Sequence, residues 1–153
     1  MKRTMSAFDT ADASSAVAHS EINPLVLLVE DNADNMLVAT SLLEMLGIRH
    51  ETACNGQEAF EKARGGGFDV ILMDVQMPEM DGFTATRMIR DYEERHGFSR
   101  IPIVGVTAYA LAGDRERCLA AGMDDYISKP FRADDLESKI ILWHDAKHAD
   151  AEQ

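Results

Sequence analysis

Cysteine is scarce in this sequence, and so is positive charge. The two cysteines, Cys54 and Cys118, stand far apart with no C-x-x-C spacing, which argues against a disulfide framework or a cysteine-built zinc site and for a reducing cytoplasm. Lysine and arginine number 15 against 27 aspartates and glutamates, a formal net charge of −12. Such a field repels phosphates, so neither nucleic acid nor an anionic membrane is an expected partner. No apolar run approaches the ~18 residues of a membrane span. Met1-Lys2-Arg3 leads into small and acidic residues instead of the apolar core of a signal peptide. Low-complexity sequence is lacking too: with 46% hydrophobic residues in a chain of 153, the centre can bury a core as one domain. A cytoplasmic location is expected.

Organisation follows from where periodicity starts and stops. Residues 1–23 are small and polar and are expected to form a flexible leader; residues 145–153 look alike and are expected to form a flexible tail. Between them, over 24–144, strand-like and helix-like segments alternate five times, the pattern of an α/β domain with a parallel sheet covered by helices on both faces. The strands are predicted at Leu25 to Val29, His50 to Ala53, Val70 to Met73, Ile103 to Val106 and Tyr126 to Ser128. Ala39, Leu42, Leu43 and Leu46 share one helix face, which Gly47 should end. Asn55 and Asp81 are placed to cap the second and third helices. The fourth should run from Arg115 to Ala121 and stop at Gly122. Asp134 and Asp135 fall in the first turn of the fifth, where its dipole favours them, with Leu136, Ile140 and Trp143 facing the core.

Four predicted strands end in chemistry-bearing residues. The first ends in Glu30-Asp31, the third in Asp74, the fourth in Thr107 and the fifth in Lys129, and in a doubly wound sheet such tips converge on one crevice. Each residue alone has an ordinary alternative: Asp74 as a helix cap, Thr107 as a β-branched strand residue, Lys129 as a solvated lysine. Together they are harder to dismiss. Carboxylates about 4 Å apart repel by roughly 4 kcal/mol at an effective dielectric of about 20, so the acidic group calls for a cation or a shared proton. With oxygen ligands only, the natural cation is Mg²⁺. Pro130 restricts Lys129 to extended backbone and aims it at the strand end. The Thr107 hydroxyl can donate to a phosphoryl oxygen.

The segments Val29-Glu30-Asp31-Asn32 with Asn35, Met73-Asp74-Val75-Gln76-Met77-Pro78-Glu79-Met80-Asp81-Gly82, Val106-Thr107-Ala108 and Gly122-Met123-Asp124-Asp125-Tyr126-Ile127-Ser128-Lys129-Pro130-Phe131 resemble the receiver domains of two-component response regulators. The resemblance covers roughly Pro24 to Trp143 and looks most like receivers of hybrid histidine kinases and single-domain phosphorelay regulators. It implies a flavodoxin-like (βα)5 sheet of order 2-1-3-4-5. It also implies Asp74 as phosphoacceptor, and Glu30, Asp31, Asp74 and the Gln76 backbone carbonyl around Mg²⁺. Thr107 and Lys129 would contact the phosphoryl group, Thr107 and Tyr126 would form a switch, and Gln76 and Tyr109 would tune dephosphorylation. The partners implied are a histidine kinase or histidine phosphotransferase, a downstream protein target, and a phosphorylation-dependent second copy of the chain. The face expected to meet the downstream target or the second copy carries Arg115, Arg117 and the Asp124-Asp125 pair.

Other readings stay open or fail on particular residues. A phosphatase of the haloacid dehalogenase kind wants an aspartate two residues after its nucleophile, where Gln76 stands. An interaction module with a vestigial site remains an alternative. Gly65-Gly66-Gly67 lacks the lysine and hydroxyl residue of a phosphate loop, and the stretch from Asp31 has Met36 and Leu42 where a calcium loop needs glycine and glutamate. The methionines are expected in the core, apart from Met77 and Met80 on a docking loop. The five histidines are read as scattered, without ligand spacing. Too little chain follows the fifth helix for an output domain, and Met1 with its short leader favours a stand-alone regulator over part of a hybrid kinase.

Overall fold

The structure, a computed structural model, describes residues 23–77, 80–108 and 113–151. Most of the expected leader, and Tyr109, lie outside the described residues. Five strands, β1 (Leu25–Val29), β2 (Arg49–Ala53), β3 (Val70–Asp74), β4 (Ile103–Thr107) and β5 (Asp125–Ser128), alternate with five helices. The helices are α1 (Ala33–Met45), α2 (Gly56–Arg64), α3 (Gly82–His96), α4 (Asp114–Ala121) and α5 (Ala133–Ala151). All strand pairs are parallel, in the order β2-β1-β3-β4-β5. Order and fold class are those that the resemblance implies.

The hydrophobic pattern sets this arrangement. β3 and β4 are buried along their whole length, as strands covered on both faces must be, whereas edge strand β2 alternates exposed and half-buried residues. Alternation within β1 splits the core in two: Leu27 and Val29 face α2, α3 and α4 through Ala59, Ile89 and Cys118, while Val26 and Leu28 face α1 and α5 through Leu43, Leu136 and Ile140. The helix starts follow the sequence. Asn32, Asn55 and Asp81 each accept a backbone N–H from three residues on, at 2.9, 2.7 and 2.8 Å. Gly47 and Gly122 take positive φ just past α1 and α4, as their stop role requires.

Four expectations are corrected. α5 does not end near residue 144 but continues to Ala151, so the expected flexible tail from 145 is helical over most of its length. Its last turns are held by Asp69, which takes His148 Nε2 at 2.8 Å and lies 3.9 Å from Lys147 Nζ. Met77 is buried in the core, only 8% exposed, and so offers no docking surface; Met45, expected inside, is 67% exposed. Asp124 and Asp125 are not displayed for a partner. Asp124 is bound by Arg90 and Arg100, and Asp125 by Lys139 and the Trp143 indole.

Candidate functional site at the strand tips

The parallel register brings the four sequence-predicted tips together. Asp74 closes β3 and Glu30 follows β1, both 5% exposed or less, while Asp31 is open to solvent. One carboxylate oxygen from each of the three lies within 4.8 Å of the others. Pairing of Thr107 with Ser128 puts the next residue beside the β4 tip, where Lys129 N–H donates to the Thr107 carbonyl at 2.7 Å. From there the Lys129 ammonium crosses the crevice, donating to Glu30 Oε1 at 2.9 Å and approaching Asp74 Oδ2 at 3.6 Å. Backbone amides complete the set: Gln76 N–H donates to Asp74 Oδ1 at 3.1 Å and Asn32 N–H to Glu30 Oε2 at 3.2 Å.

One ammonium among three carboxylates leaves the site short of positive charge. Burial, and then the neighbouring Glu30, push the Asp74 carboxyl up to about 6, against the opposing pull of the Gln76 amide and Lys129. Burial also works against ionised Glu30, but its bonds to Lys129, Asp74 and the Asn32 amide outweigh burial and hold it below the usual carboxylate range. Of the two acids, Asp74 is therefore the one that takes up a proton first as pH falls. A small hard dication in place of that proton meets an all-oxygen donor set of matching charge, so the residues fit Mg²⁺. Glu30, Asp31 and Asp74 are the carboxylates gathered there, and the Gln76 carbonyl enters as a ligand only through the family resemblance.

Comparison with known proteins agrees with this geometry. The family described as the response regulator receiver domain matches residues 26–141. The chain belongs to that family. It is 42% identical over 121 residues to the sensor histidine kinase GacS of Pseudomonas protegens, covering 78% of this chain but 13% of the kinase. The crystallised receiver domain of sensor histidine kinase PA1611 from Pseudomonas aeruginosa, with a magnesium ion coordinated in its active site cleft, is 42% identical with a TM-score of 0.71; the match covers 80% of this chain and 98% of that one. A chain in the co-crystal of the Saccharomyces cerevisiae phosphotransfer protein Ypd1 with the receiver domain of its downstream regulator Ssk1 is 36% identical with a TM-score of 0.74, covering 80% of this chain and 91% of that one.

The receiver's site also rests on glycines whose role the sequence reading missed. An ideal Cβ on Gly82, the first residue of α3, would lie 2.2 Å from the Asp74 carbonyl oxygen and 2.9 Å from Val75 Cα. No side chain fits between α3 and the loop that displays Asp74. Gly56, opening α2, meets Met80 in the same way at 2.7 Å. The available signal was a glycine at the first helical position directly after a capping residue in both Asn55-Gly56 and Asp81-Gly82. Tyr126 is half-buried against the core cluster that includes Met123 and Cys118. Gln76 is exposed, its backbone bonded to Asp74.

Proposed function

We propose that this receiver takes a phosphoryl group from a phosphohistidine onto Asp74 and passes the signal on by phosphorelay or protein contact. An Asp74 carboxylate oxygen attacks phosphorus in line; the P–N bond breaks and its electron pair returns to the donor's imidazole. The observation that carries this reading is the buried Asp74 carboxyl with Glu30 and Asp31 from the β1 tip and Lys129 from the β5 tip gathered on it. Bound Mg²⁺ would supply charge neutralisation at the phosphoryl oxygens. Lys129 and Thr107 contact the remaining oxygens, and the movement of Thr107 lets Tyr126 turn inward as a switch. Gln76 and Tyr109 flank the approach of hydrolytic water, Tyr109 by its place in the sequence, and a ring there favours a long-lived phosphoryl group.

A histidine kinase or a histidine phosphotransferase is the donor. Beside the site, an open cleft is lined by Asn35, Val38, Ala39, Lys129, Pro130 and Phe131, and Val38 and its sequence neighbour Leu37 are 59% and 65% exposed. An apolar shelf at the rim of the phosphoacceptor suits a helical partner that must present a phosphohistidine. A downstream protein target, or a second copy of this chain, reads the phosphorylated form; neither nucleic acid nor membrane is a partner. Cys54 is an exposed free thiol, in keeping with a reducing cytoplasm. Among the described residues no helix is long and apolar enough to cross a membrane.

Incubation with acetyl phosphate or a phosphohistidine donor tests the reading. Wild-type protein with Mg²⁺ should gain one acid-labile phosphoryl group, and Asp74→Asn or excess EDTA should abolish it, because the amide is a far poorer nucleophile. Stoichiometric phosphate on Asp74→Asn, or an undiminished rate in EDTA, would overturn it.

A further inference from the structure

At the other end of β3 from Asp74, a second cluster brings together Asp69, His144 and His148. One ligand atom from each lies within 4.8 Å of the others. In the sequence the histidines look scattered, yet 144 and 148 are one helical turn apart in α5, which sets both rings on one face with centroids 4.2 Å apart. Asp69 comes from the loop before β3 and is oriented by the Leu25 N–H, which donates to Oδ2 at 2.8 Å and leaves Oδ1 for His148 Nε2 at 2.8 Å. Asp145 Oδ1 lies 3.2 Å from His144 Nδ1; a donor N–H there leaves the lone pair on Nε2. Both histidines lie beyond residue 141, where the receiver match ends.

We propose that Asp69, His144 and His148 form a binding site for a divalent transition metal, with zinc the ion their donors suit. Two imidazoles and one carboxylate are a common three-ligand zinc set, with a fourth position for water. Tetrahedral bonds of about 2.0–2.1 Å separate ligand atoms by about 3.3 Å, so the His148–Asp69 hydrogen bond has to open by only about half an ångström as the ion replaces its proton. Mg²⁺ is disfavoured here, since imidazole suits zinc, copper and nickel and the strand-tip trio suits magnesium. Lys147, with Nζ 3.9 Å from Asp69 Oδ1, must swing aside; its side chain is long and half-buried. The ion would clamp the last turns of α5 to the base of the sheet, and binding to the folded state alone raises thermal stability with the logarithm of ion concentration above Kd.

Zinc chloride titration of the untagged chain in excess Mg²⁺ tests this without interference from the strand-tip carboxylates. Calorimetry should show one zinc per chain, with a rise in Tm and shifts of the His144 and His148 ring signals in NMR. His148→Gln, at an exposed position, and His144→Gln, at a half-buried one, should each weaken binding by on the order of tenfold or more and diminish the Tm rise. Acetyl phosphate labelling of Asp74 should be unaffected in both. Zinc affinity unchanged in both variants, ring signals unmoved by one equivalent of zinc, or absence of saturable binding would overturn the site. Circular dichroism of the variants separates loss of ligand from loss of fold.

Discussion

Lys129 is bonded to Glu30, with Nζ 2.9 Å from Oε1, and not primarily to Asp74, which it approaches at 3.6 Å. The ammonium therefore holds the two acids in one frame before any phosphoryl group arrives. Replacing it with the similarly shaped Lys129→Met leaves buried carboxylates without their cation. The expected loss is about 1–2 kcal/mol, below the ~3–5 kcal/mol of a fully buried pair because Lys129 is partly exposed. Urea denaturation in the absence of divalent ions measures it, and adding Mg²⁺ should recover part of the loss; a variant as stable as wild type would show that the pair contributes nothing.

Asp74 makes stability fall as pH rises. Its carboxyl titrates at about 6 in the fold and near 3.8 when unfolded, so between those values the native state binds more protons and loses stability with increasing pH. Asp74→Asn lacks that loss. Without Mg²⁺ at pH 7 it should be more stable than wild type by about 1–2 kcal/mol, less than the ~3 kcal/mol of a full two-unit shift because the same pairing lowers Glu30. At pH 3, where Asp74 is protonated in both states, the gap should close. Thermal melts at both pH values decide it.

The proton on Asp74 competes with the metal. Mg²⁺ affinity should therefore drop as pH falls through about 6, approaching a tenfold loss per unit below it. Calorimetric titration at pH 5 and pH 7.5 gives the ratio, and equal affinities would mean that Asp74 is ionised throughout.

Gly82 leaves no room for a methyl group. Gly82→Ala should cost about 2–3 kcal/mol, at the upper end for overpacking, because the obstructing atoms are backbone and cannot rotate away. The displaced loop should also slow acetyl phosphate labelling of Asp74. Normal labelling in a folded variant would show that α3 can shift without moving the site.

Arg90 offers the contrasting case. Its guanidinium donates to Glu93, Asp124 and the Gly122 carbonyl, all at 2.8–2.9 Å, tying α3 to the start of β5. Arg90→Met removes one cation from two largely buried carboxylates, of which Asp124 keeps Arg100 and Glu93 keeps the Ile101 N–H, and should destabilise by about 2 kcal/mol. In folded protein, labelling of Asp74 should continue at its usual rate, since the network sits at the far end of the sheet.

Much of this receiver was legible without the fold. Strand positions followed from apolar runs bounded by turn residues, and Asn55, Asp81, Gly47 and Gly122 marked helix ends where they act, because caps and stops are local chemistry within a turn or two. The strand-tip residues were legible for a related reason: parallel topology sends every strand end to the same side, so their convergence needs no knowledge of packing.

Tertiary structure alone decided what depends on pairs remote in sequence. Lys129 and Glu30 are 99 residues apart, and their bond, with the Asp74–Glu30 pairing, determines which acid keeps the proton. His148 and Asp69 are 79 apart, and that contact accompanies helix where polar composition suggested a tail. Met77 and Asp124 look like surface residues by type and neighbours; burial takes one, and Arg90 and Arg100 take the other. Periodicity and capping are properties of a few consecutive residues, whereas burial and charge pairing are properties of which segments meet in space.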